Sequence, residues 1–177
     1  MKNNQVTGVL RRVDDLGRIV LPKEYRRAMH INENDPLEII LCDNQLVIHK
    51  YHPLKTIQSL CKQYLRAFAQ NCNAPCIICN TDNILEVRGV SLSTTAKLSE
   101  DVISLIRYGK KYLYKEEDPL NLLRDGNYQI DSLYPVVCEG EPAGAVILLH
   151  YRELTELETG YAKFLADLLS QAIQEVA

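Results

Sequence analysis

The first fifty residues hold two strand–turn–strand patterns and one short helical run, a unit that buries too little apolar surface to stand alone. Val9 to Val13 reads as a strand, Asp14-Asp15-Leu16-Gly17 as a turn whose glycine is free to take positive φ, and Arg18 to Leu21 as a second strand. Pro22 suits the first position of a helix from Lys23 to Met29 or so, since its missing N–H has no helical partner there. Leu37, Ile39 and Leu41 then alternate with Glu38 and Ile40, Asp43-Asn44 turns the chain, and Leu46-Val47-Ile48 begins the return. The incompleteness of this unit predicts a second copy of itself, and hence an obligate dimer.

Charge separates the same region from the rest. Residues 1–30 carry seven basic side chains (Lys2, Arg11, Arg12, Arg18, Lys23, Arg26, Arg27) against three acids, a local net charge of +4 on a chain of net charge −3. A basic end on an acidic chain points to an anionic partner for that end alone. Guanidinium forks bond phosphate oxygens, or guanine O6 and N7, in pairs. The plainer reading is a solvated surface in which these arginines pair with Asp14, Asp15, Glu24, Glu33 or Asp35. Charge alone favours nucleic acid only weakly over that surface.

The run from Thr7 to Ile39 resembles the DNA-binding domain of the AbrB family of transition-state regulators. The matching residues are Thr7-Gly8, Arg11-Arg12-Val13-Asp14, Leu16 through Pro22, Glu24, Arg26-Arg27 and Asp35-Pro36-Leu37-Glu38. Tyr25 and His30 depart from the family pattern. The resemblance implies a dimer of interleaved swapped hairpins forming a β-barrel, binding double-stranded DNA through Arg11, Arg18, Arg26 and Arg27, with Arg12 as a further basic position. Two-fold symmetry of such a dimer implies DNA read in two half-contacts.

His52-Pro53 marks a boundary between residues 1–53 and 54–177. After it Leu54, Ile57, Cys61, Tyr64 and Phe68 recur at helical spacing, widened by Leu60 and Leu65, which predicts a helix within residues 54–73 joining the two domains. Its apolar stripe fits core packing or a coiled-coil seam. Cys76 to Cys79 and Ile84 to Val87 read as a hairpin around Asn80 to Asn83. Ser99 is placed as a helix N-cap, Leu98 and Ile103 as a hydrophobic staple, and Gly109 as the helix stop. Tyr112 to Tyr114, Ile130 to Cys138 and Ala143 to His150 follow as strands. Thr155 and Glu158 form a capping box for a last helix with Leu157, Tyr161, Phe164, Leu165, Leu168 and Ala172 on its apolar face. The sum is an α+β chain whose second domain is an antiparallel sheet covered by helices.

Six cysteines raise the question of disulfides or metal. Cys72, Cys76 and Cys79 form the one cluster, but Cys76 and Cys79 lie on opposite faces of one strand and no fourth ligand stands nearby. Buried thiols are the reading, with no metal and no cofactor. No stretch is long and apolar enough to span a bilayer and no signal segment opens the chain, so a cytoplasmic, membrane-free protein is expected. Ser91, Ser93 and His150 belong to no nucleophile or metal-hydrolase motif, which argues against an enzyme.

The second domain resembles a GAF domain in Tyr134-Pro135-Val136 and in Gly140 through Val146. GAF domains either hold a small ligand or serve as dimer modules. The pairing of AbrB-type and GAF-like parts is similar to transcription factors of spore-forming bacteria. It implies forespore-stage activation and repression of sporulation genes, association with the nucleoid, and a homotetramer joined through the second domain. Two alternatives stand beside it: a regulator gated by a small-molecule effector, and an antitoxin-type autoregulator.

Overall fold

The computed structural model describes residues 8–33 and 35–176, so Lys2 and Thr7 of the sequence reading lie outside it. The chain divides into two compact units, residues 1–51 and 52–177.

The first unit contains helix α1 (Lys23–Ala28) and a two-stranded sheet of β1 (Leu37–Cys42) and β2 (Gln45–Lys50). The strands are antiparallel with Leu37 opposite Lys50 and Cys42 opposite Gln45. Asp43 and Asn44 close the hairpin with φ of 45° and 63°, a left-handed pair that Asp and Asn tolerate better than other non-glycine residues. The strands expected over Val9–Val13 and Arg18–Leu21 do not form a ladder. They are extended arms joined at the Asp14–Arg18 turn, and their apolar side chains find no covering layer among the described residues. Leu10 is 89% exposed, Val20 74% and Leu41 72%. Among the described residues of this unit only Pro22 and Ile31 are buried. Pro22 sits at the N-cap of α1, one residue earlier than the sequence reading placed it.

The second unit opens with two helices, α2 (Pro53–Thr56) and α3 (Gln58–Asn71), where one linking helix was expected. The break falls at Ile57 (φ −105°, ψ 24°), next to a Thr56 hydroxyl that donates to the Pro53 carbonyl at 2.6 Å in competition with helix continuation. The stripe Leu54, Ile57, Cys61, Leu65 and Phe68 is buried inside this unit, which resolves core against seam in favour of core.

Five antiparallel strands follow in the order β4-β3-β7-β6-β5: β3 (Cys76–Asn80), β4 (Ile84–Arg88), β5 (Tyr112–Leu113), β6 (Ile130–Cys138) and β7 (Glu141–Leu149). Helix α4 (Glu100–Arg107) covers one face, and α2, α3 and α5 (Glu156–Gln174) the other. Alternation sorts β7 between two cores, with Val146 and Leu148 on the α3–α5 side and Ala145, Ile147 and Leu149 on the α4 side. Cys76 and Cys79 take opposite faces in the same way, and burial pushes the Cys79 thiol up to about 12. Gly144 is where α2 meets the sheet. A Cβ there would stand 2.1 Å from the Cys79 carbonyl oxygen and 2.4 Å from Leu54 Cδ1.

Local signals decide the helix ends. Ser99 Oγ accepts the Val102 amide at 3.3 Å. Thr155 and Glu158 cap α5 reciprocally. The apolar face expected for α5 is corrected, because two stripes run along it. Ala162, Leu165, Ala166, Leu169, Ala172 and Ile173 face the sheet, small residues permitting close approach, while Leu157 and Phe164 are 64% and 65% exposed.

Candidate nucleic-acid interface

The turn between the two arms is built on Asp14. Its Oδ1 accepts the Leu16 amide at 3.1 Å and the Arg18 amide at 2.7 Å, and Oδ2 accepts the Arg18 Nε–H at 2.8 Å. Backbone bonds from Asp14 N to the Arg18 carbonyl and from Gly17 N to the Asp14 carbonyl, both 3.1 Å, complete the loop. Gly17 takes φ 78°, which explains glycine there. Bonds from the Arg18 amide and then its guanidinium hold the Asp14 carboxyl below its ordinary value.

Arg18 is thus fixed at one edge of its guanidinium, and its side chain stays 70% exposed. Arg11 donates from Nη1 to the Leu10 carbonyl at 3.1 Å. Arg11 and Arg12 precede the turn and Arg18 ends it, all exposed. Arg26 and Arg27 occupy the last turn of α1, where a cation also complements the helix dipole. The Arg26 and Arg27 backbones anchor the next bend through Ile31 N to Arg26 O at 2.8 Å and His30 N to Arg27 O at 3.2 Å.

Of the five arginines, only Arg18 has a carboxylate partner among the described residues. The acid Asp35 is engaged elsewhere, 3.0 Å from Lys50 Nζ and accepting the Asn32 amide at 2.7 Å. The solvated ion-pair surface therefore describes one arginine and leaves four available. Sequence reasoning counted Lys23 in the basic charge but not among the contacts; it is an exposed cation in the first turn of α1, where the helix dipole disfavours it and an anion would relieve it. Sequence reasoning also passed over Asp14 as the organiser of the loop, although its spacing of four from Arg18 was a visible signal.

Among the described residues no helix is long and apolar enough to cross a membrane. Residues 56–174 match the family described as stage V sporulation protein T C-terminal, transcription factor. Residues 10–56 match the family described as antidote-toxin recognition MazE, bacterial antitoxin. Stage V sporulation protein T of Bacillus subtilis (strain 168) is 32% identical over 149 residues, 81% of this chain and 84% of that protein. The transition state regulatory protein AbrB of the same organism is 48% identical over 52 residues, 29% of this chain and 54% of that protein. A GAF domain/HD domain protein from Geobacter sulfurreducens aligns over 69% of this chain and 96% of its own, at 16% identity and a TM-score of 0.48.

Proposed function

We propose that this chain, which belongs to the stage V sporulation protein T family of transcription factors, binds double-stranded DNA through Arg11, Arg12, Arg18, Arg26 and Arg27 of an intertwined N-terminal dimer. It acts as an activator of some late sporulation genes and a repressor of others, in the cytoplasm of the forespore and on the nucleoid. The observation that carries this reading is the exposure of all five arginines, four of them without a carboxylate partner among the described residues. A stretch of 52 residues of the chain is 48% identical to a transition state regulator, which supports the same reading.

A unit in which only Pro22 and Ile31 are buried among the described residues needs another surface to cover Leu10, Val13, Leu16, Ile19 and Val20. A second copy with exchanged hairpins supplies it. In the second unit the exposed stripe of α5 supports a further self-association, giving a tetramer with two pairs of DNA-binding heads. Heads that are weak singly gain affinity when they engage together.

The match of residues 10–56 to an antitoxin family favours a second reading, an antitoxin-type autoregulator. Residues 52–177 weigh against it, because they bury two apolar layers of their own around a sheet and do not form an extended toxin-wrapping tail. The test is binding of the purified protein to duplexes recovered by genome-wide mapping of its bound sites. Arg18→Ala should weaken binding and, for a phosphate contact, flatten the slope of log K against log salt by about 0.9. Failure to retain any duplex in dilute salt overturns the proposal.

A further inference from the structure

Helix α3 and the edge strand β4 flank an open cleft of about 160 Å³ lined by Lys62, Leu65, Arg66, Glu86, Val87 and Arg88. Lys62 and Arg66 are four apart on α3, so they stack on one face of the helix. Glu86 and Arg88 are two apart on β4, so both point to the side that α3 covers. Leu65 is buried beneath and gives the cleft an apolar floor.

Three cations meet there against one carboxylate. Glu86 accepts a hydrogen bond from Gln58 Nε2 at 3.2 Å. No carboxylate among the described residues lies within ion-pair distance of Lys62, Arg66 or Arg88. Helix α3, QSLCKQYLRAFAQN, contains no acid at all, although a carboxylate four residues before or after either cation would have stabilised it. Like charges at this spacing destabilise a helix, and they do so here on a chain whose net charge is −3.

From this we infer that the α3–β4 cleft binds a phosphate-type oxyanion, with Arg66 and Arg88 donating from their guanidinium forks and Lys62 as a point charge. The apolar floor excludes water from one side of the anion. Glu86 opposes the anion and sets a weak affinity. The phosphate is either free in solution or part of a DNA backbone. The inference does not depend on the DNA-binding reading of the first unit, since a free anion suffices to test it.

The experiment is calorimetric titration of the full chain with inorganic phosphate at constant ionic strength in chloride. A saturable response is expected, reduced about tenfold in affinity by Arg66→Gln or Arg88→Gln, the scale of one charge-assisted hydrogen bond. Glu86→Gln should tighten it. Arg66 and Arg88 are exposed and Glu86 is half-buried, and circular dichroism verifies that the variants fold. In the second arm, a DNA-backbone source makes Arg66→Gln and Arg88→Gln each lower the salt slope of duplex binding. A free-phosphate source leaves that slope unchanged. No saturable response up to about 10 mM phosphate, ten times a millimolar constant, together with an unchanged duplex slope overturns the inference. So does a phosphate response that both arginine variants retain in full.

Discussion

Asp14 receives the Arg18 guanidinium at 2.8 Å through one carboxylate oxygen and two backbone amides through the other. One acid therefore shapes the turn and orients the basic side chain that ends it. A negative charge inside a surface offered to phosphate would weaken binding if charge were all that mattered. As an organiser it should, on the proposed reading, have the opposite effect.

Removing Asp14 separates those two roles by sign. Asp14→Ala eliminates the acceptor for both amides and frees the Arg18 side chain, whose ordering cost then falls on the bound state. Duplex affinity measured by fluorescence anisotropy should fall about tenfold with Arg18 still present, the scale of a charge-assisted hydrogen bond. Tighter binding would show that Asp14 acts through its charge alone.

Glu158 gives the second unit a defined acid limit. Its carboxylate accepts from Arg152 Nη1 at 2.9 Å, from Arg152 Nη2, from the Thr155 amide at 3.0 Å and from the Thr155 hydroxyl at 3.1 Å. The Arg152 bond first, and then the Thr155 amide, hold its carboxyl down to about 2 from an ordinary 4.5. A carboxyl lowered on folding stabilises the fold above its unfolded value and loses that contribution as pH falls through the folded one. The wild-type contribution should thus decline between pH 4.5 and about 2. Glu158→Gln keeps a capping oxygen but loses the charge facing Arg152, so it should lower the thermal midpoint at neutral pH by the equivalent of about 0.2–1 kcal/mol and flatten the acid limb of a stability–pH curve. An unchanged acid limb would remove Glu158 from that role.

Gly144 marks the closest approach of helix to sheet. Its missing Cβ leaves room for Leu54 of α2 above and the Cys79 carbonyl beside it, with contacts of 2.4 and 2.1 Å if a methyl were added. The carbonyl belongs to the β3–β7 ladder and cannot swing aside without breaking it. Gly144→Ala should therefore cost at least the ~1–3 kcal/mol of an overpacked core in urea unfolding. Leu54→Ala on the same background relieves the methyl contact but not the backbone one, so it should not restore wild-type stability.

What could be read from the sequence was decided within a few residues of itself. The Asp43-Asn44 hairpin, the Ser99 cap and the Thr155–Glu158 box all depend on bonds between residues one to four apart. The turn at Asp14–Gly17 and the helix at Lys23–Ala28, which carry or flank the five arginines, were legible for a similar reason, whereas the choice of those arginines as DNA contacts came from the family resemblance. What was missed depended on neighbours distant in sequence. Phe164 and Leu165 are adjacent in sequence, yet only the arrangement of the sheet decides that Leu165 is buried and Phe164 exposed. The arms around Asp14 lack a ladder, with no strand paired to either of them among the described residues.

The outward stripe of α5 yields the last prediction. Leu157, Tyr161, Phe164 and Leu168 follow one another at spacings of four, three and four, one continuous helix face flanking the buried one. Phe164 and Leu157 have little to lose in the isolated chain, so Phe164→Lys and Leu157→Lys should leave its stability within about 0.5 kcal/mol. Between copies each removes a large apolar side chain worth ~1.5–3 kcal/mol when covered and introduces a desolvated charge. Sedimentation should therefore show the proposed tetramer for the wild type and a dimer held by the N-terminal units for the double variant. Duplexes long enough to engage two pairs of heads should then lose about a hundredfold or more in affinity, while short duplexes that reach one pair should bind unchanged. A tetramer that survives both substitutions would mean that another surface joins the dimers, and equal losses on short and long duplexes would mean that α5 acts on the heads themselves.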